Sequence, residues 1–116
     1  MLEGDFLTFG NGYTVYFAGS SAAMAEQALW AEMFKPHLVI LHMGVRHDPV
    51  DFAMQARLLE TGNRNIDAVM PHHHRAVQAQ GTTSVADVQA AMRDMGVRTR
   101  LVAPQVGVSY TLVPPR

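Results

Sequence analysis

The stretch "HLVILHMG", His37 to Gly44, is apolar at successive positions where a half-solvated strand would alternate. A strand of that composition needs cover on both faces, which only a central position in a packed sheet provides. On either side of it stand segments with helical signatures. Before it, "SAAMAEQALWAEMF" sets Met24, Ala28 and Ala31 beside Ala25, Leu29 and Met33 in one apolar stripe, with Ser20 or Ser21 as the N-cap. Pro36 ends that helix near Lys35, because proline disfavours helical geometry in the residue before it. After it, "HDPVDFAMQARLLETG" has Asp48 as N-cap, Pro49 at the first helical position, Asp51 in the first turn and Gly62 just past the end.

The same alternation continues along the chain. "NIDAVMP" reads as a strand, and "TSVADVQAAMRDMG" as a helix opened by Ser84 and Asp87 and stopped by Gly96. Short strands are expected at Arg100 to Val102 and Val106 to Leu112, on either side of Pro104. At the other end, Leu7 to Phe9 and Tyr13 to Ala18 flank "GNG", the punctuation of a hairpin. Strands alternating with helices predict an α/β fold, a largely parallel sheet with a hairpin at one edge. No repeat or linker divides residues 1–116, so one domain is expected.

Charge and composition narrow the function. A net charge of -1, with Lys and Arg scattered, gives no footprint for nucleic acid or an acidic membrane. No apolar run is long enough to span a bilayer and the start carries no signal-peptide pattern, so the chain reads as soluble and cytoplasmic. The absence of cysteine removes disulfides, thiol nucleophiles and thiolate metal sites. Any metal must then be held by His, Asp or Glu.

In a parallel sheet the loops after the strands' carboxyl ends share one edge, where ligands bind. That edge would gather Ser20 and Ser21, then His42, His47 and Asp48, then the triplet His72, His73 and His74. Consecutive residues of an extended chain face opposite ways, so one ion would take one or two of the triplet. Surface histidines after a strand are more ordinarily solvated, His42 suits a hydrogen-bonded place at the core's edge, and His37 reads as loop. No phosphate loop, nucleophile elbow or Glu-x-x-His pair appears.

The order "GYTVYFAGSSAAMAEQALWAEMFKPHLVILHMG", then "DPVDFAMQARLLETGNRNIDAVMPHHH", resembles the C-terminal half of metallo-β-lactamase-fold hydrolases, in the group with lactonase-like and phospholipase-D-like members. The resemblance implies half of an αββα sandwich, a mixed sheet with about three helices on one face. Pro71-His72-His73 matches the family's Pro-x-His, which makes His73 the counterpart of its last metal-binding histidine. His47 lies one residue from a histidine of the substrate pocket. Ala18-Gly19-Ser20-Ser21 matches Ala-Gly-Asp-Thr with serine in place of the metal-bridging aspartate, and a hydroxyl is a poor replacement for that carboxylate.

The family's His-x-His-x-Asp-His motif, which holds most of its ligands, belongs to an N-terminal half that this sequence does not contain. The expected protein is therefore a half-domain, not a competent hydrolase alone, that forms a homodimer through its exposed sheet face and so imitates the whole sandwich. The alternative is a hydrolase of phosphoesters, lactones or amides whose site forms across that dimer or with a separate N-terminal half. Its metal ligands would come from His73, His72, His74, His42 and His47. Zinc, manganese and iron are the candidate ions, and a metal-free protein is the other outcome.

Overall fold

A computed structural model of the chain describes residues 5–19, 23–43, 48–72, 84–104 and 107–110. Five strands form one sheet in the order β1 (Asp5–Thr8), β2 (Thr14–Phe17), β3 (Leu38–His42), β4 (Ala68–His72) and β5 (Arg100–Leu101). Strand β1 runs antiparallel to β2, and the pairs β2–β3, β3–β4 and β4–β5 are parallel. The helices α1 (Glu26–Phe34), α2 (Pro49–Gly62) and α3 (Val85–Asp94) alternate with these strands. This is the expected α/β architecture, compatible with half of an αββα sandwich.

All three helices pack on the same face of the sheet, with α2 between α1 and α3. Tyr16, Val39, Leu41 and Val69 point from the sheet into that layer. Trp30 and Ala31 meet them from α1, Phe52, Ala56 and Leu59 from α2, and Val88 and Met92 from α3. Full burial of a side chain such as Phe52 or Leu59 contributes roughly 1.5–3 kcal/mol. The other face carries a smaller cluster, Tyr13, Leu38 and Ala68, edged by the part-buried Val15, Ile40, Met70 and Val102. The unbroken apolar run of β3 thus has helices over one face and, among the described residues, only partial cover on the other.

Local signals explain most boundaries. The hairpin turns at Gly12, whose φ of 89° favours glycine, while the Asn11 side chain accepts from the Tyr13 amide at 3.0 Å. Asp48 caps α2 through Val50 N–H at 2.8 Å, and Ser84 caps α3 through Asp87 N–H at 3.0 Å. Gly96, at φ 73°, closes α3 in the left-handed conformation, with Val97 N–H donating to Met92 C=O at 3.0 Å.

Four expectations need correction. Helix α1 begins at Glu26, well after Ser20 and Ser21, with Ala25 at its cap position and no side-chain cap. The preceding segment is held by one tertiary and one local bond instead: Ala23 N–H donates to Asp51 of α2 at 2.9 Å and Met24 N–H to the Gln27 side chain at 3.1 Å. Strand β1 runs from Asp5 to Thr8, so Phe9 belongs to the turn. Gly62 is the last residue of α2, not a residue beyond it, and Asn63 takes the cap position. Gly107 to Tyr110, the described part of the last expected strand, are not in a strand.

No helix among the described residues is long and apolar enough to cross a membrane.

Candidate functional site

The parallel register brings the carboxyl ends of β3 and β4 level. Leu38 pairs with Ala68, Ile40 with Met70 and His42 with His72. Because side chains alternate along a strand, these pairs share the sheet face turned away from the helices. The two imidazoles therefore stand side by side at the last rung, their ring centroids 4.9 Å apart at an interplanar angle of 76°. On the neighbouring strand, Phe17 lies on the same face as Val15 and tilts its ring to 4.7 Å from that of His72.

The His72 ring is also fixed by the chain. Its Nε2 lies 3.1 Å from the carbonyl oxygen of Gly19, just past β2. A carbonyl only accepts, so Nε2 carries the proton, and in the neutral ring the lone pair sits on Nδ1. A backbone carbonyl holding one ring N–H is the arrangement that orients metal-binding imidazoles through their other nitrogen. The carbonyl of His72 in turn accepts from Met43 N–H at 2.7 Å, and Ala18 N–H donates to Ile40 C=O at 3.0 Å. Three strand ends are thereby tied together at this edge.

His42 and His72 are the two sequence candidates that the fold is seen to bring together. His47, His73, His74, Ser20 and Ser21 lie outside the described residues. Asp48 is engaged as the cap of α2. Among the described residues no group of three His, Asp or Glu is placed to hold a metal ion. A catalytic ion needs three protein ligands and an open position, so the described residues alone do not fit a complete metal centre.

His37, read from the sequence as loop, has a defined structural part. Its Nδ1 accepts from Thr14 N–H at 3.0 Å, its own N–H donates to Thr14 C=O at 2.7 Å, and its ring stacks on Tyr13 with centroids 5.0 Å apart. It locks the start of β3 to β2. The contributions of Phe17 and of the Gly19 carbonyl were also not anticipated; the Val15/Phe17 alternation was the available clue to Phe17.

The chain is 30% identical over 110 residues to a protein described as a UPF0173 metal-dependent hydrolase from Chloroflexus aurantiacus (strain ATCC 29366 / DSM 635 / J-10-fl). That relative is of the metallo-β-lactamase superfamily. The match covers 93% of this chain and 43% of the relative, so the chain spans less than half the length of the curated relative it matches. No family model matches the chain. No solved structure matches it either.

Proposed function

We propose that this chain is a metallo-β-lactamase-like half-domain, not a competent hydrolase by itself, whose sheet face opposite the helices packs against that of a second copy to imitate a complete αββα sandwich. The observation that carries this reading is the one-sided placement of α1, α2 and α3. It leaves Leu7, Val15, Phe17, Ile40 and Met70 on the opposite face, with Leu7 58% and Phe17 38% exposed. Contiguous apolar surface of this kind marks an interaction site on a soluble protein. Light scattering after size exclusion tests the pairing: a dimer is expected, and a well-folded monomer at micromolar concentration overturns it.

A second reading rests on the His42–His72 rung and on the relative's description as a metal-dependent hydrolase. Here the strand-end edge holds part of a metal site that is completed across the dimer or by a separate N-terminal half. A bound zinc, manganese or iron would supply an activated water for hydrolysis. This chain's residues would orient and hold the ion's ligands. Elemental analysis of untagged protein decides between the readings, with His72→Ala and His73→Ala variants alongside. Stoichiometric metal lost in either variant favours the hydrolase site, and a metal-free folded dimer favours the assembly module.

A further inference from the structure

The opposite end of the sheet carries a pocket of about 530 Å³, within the range of small-molecule sites. It lies where α2 and α3 end and where the chain enters β4 and β5. Arg57, Glu60 and Thr61 follow one face of α2, at helical spacing, and Arg64 continues the line just beyond it. Arg98 and Thr99 close the far wall, and Ile66 and Met95 give the pocket apolar surface.

Its charges are not balanced internally. Among the described residues the lining holds one carboxylate, Glu60, which accepts from Arg98 N–H at 2.9 Å, Thr99 N–H at 3.1 Å and the Thr99 hydroxyl at 3.0 Å. Those bonds tie α2 to the approach of β5 and engage Glu60 with backbone amides and a hydroxyl rather than with guanidinium groups. Among the described residues the guanidinium groups of Arg57, Arg64 and Arg98 make no hydrogen bond or ion pair, whereas Arg100, outside the pocket, pairs with Asp67 at 3.3 Å. Three solvent-exposed arginines against one carboxylate give the described lining a net positive charge, which favours an anion there. Guanidinium forks match the oxygens of a phosphate bidentately, and a doubly charged anion offsets that net charge.

We propose that this pocket binds the phosphate group of a small organic phosphomonoester, with Arg57, Arg64 and Arg98 on the phosphate and the Ile66 and Met95 surface against the carbon skeleton. The volume exceeds what an inorganic ion fills, and the apolar lining has no use for one. The site is independent of the histidine edge and of any hydrolase activity there.

Calorimetric titration with ribose 5-phosphate and with inorganic phosphate, at ionic strength balanced with chloride, tests it. Saturable binding of ribose 5-phosphate is expected, tighter than that of inorganic phosphate and weakened about tenfold or more in the Arg64→Gln/Arg98→Gln variant. Equal affinity for the two probes, a matching response to chloride alone, or undiminished binding by the folded double variant overturns the proposal. In the unaltered protein, amide NMR shifts on titration should centre on Gly96, Arg98 and Thr99. Shifts centred on the strand ends at His42 and His72 instead would overturn it without recourse to a variant.

Discussion

Gly62 packs against the backbone carbonyl of Ala28 so closely that a β-carbon at position 62 would collide with it. The last turn of α2 and the first turn of α1 therefore meet backbone to backbone. Gly62→Ala forces the two helices apart, and as neither atom involved is on a flexible side chain the cost should be about 3 kcal/mol. Urea denaturation of the two proteins measures it. An unchanged midpoint would mean that the helices separate without strain.

Burial pushes the Tyr13 phenol up to about 12, and the charge of nearby Asp67 adds to the effect. The folded-state value lies above the ordinary 10.0, so the stabilising contribution is whole below pH 10 and is lost as pH rises toward 12. It amounts to something on the order of 2 kcal/mol. Tyr13→Phe should remove this alkaline step from the pH dependence of denaturation while leaving the rest of the curve in place. A variant that loses stability above pH 10 as steeply as the parent contradicts the assignment.

Gln55 is fully buried, accepts from Gln27 at 2.9 Å and donates to Asp51 at 2.9 Å. Asp51 uses its other oxygen for Ala23 N–H, so one chain of bonds runs from α2 to the segment leading into α1. Gln55→Leu keeps the volume but leaves polar partners unanswered in the core, with an expected loss of about 1–3 kcal/mol. The Gln27→Leu/Gln55→Leu double variant should recover part of that loss. Additive losses in the double variant would show that the two amides are not coupled.

The proposed dimer predicts that Leu7→Lys/Phe17→Lys, two charges on the exposed sheet face, yields a monomer by light scattering with an unchanged circular dichroism spectrum. A double variant that stays dimeric would place the contact elsewhere on the molecule.

The sequence displayed those parts of the fold whose causes are local. Asp48 and Pro49, Ser84, Gly96 and the glycines around Asn11 each act within a few residues of themselves, and each marked a boundary correctly. The start of α1 was misplaced because its deciding contacts, from Asp51 and Gln27, include one that comes from another helix. Gly62 looked like a helix stop, yet the nearness of Ala28 makes it a packing residue, and only the tertiary structure supplies that neighbour. At the site, strand order brought His42 and His72 to one edge in the sequence reading. Their shared rung could not be read, since register depends on pairing between distant segments.

Every strand in this sheet lies beside the one that precedes it in the chain, from β1 to β5. Among the described residues, no later strand has to be threaded between two that have already joined. During synthesis, each newly emerged strand can dock on an edge that is already formed, and each helix can close over the layer as it appears. Among these five strands the order of assembly can thus follow their order in the chain.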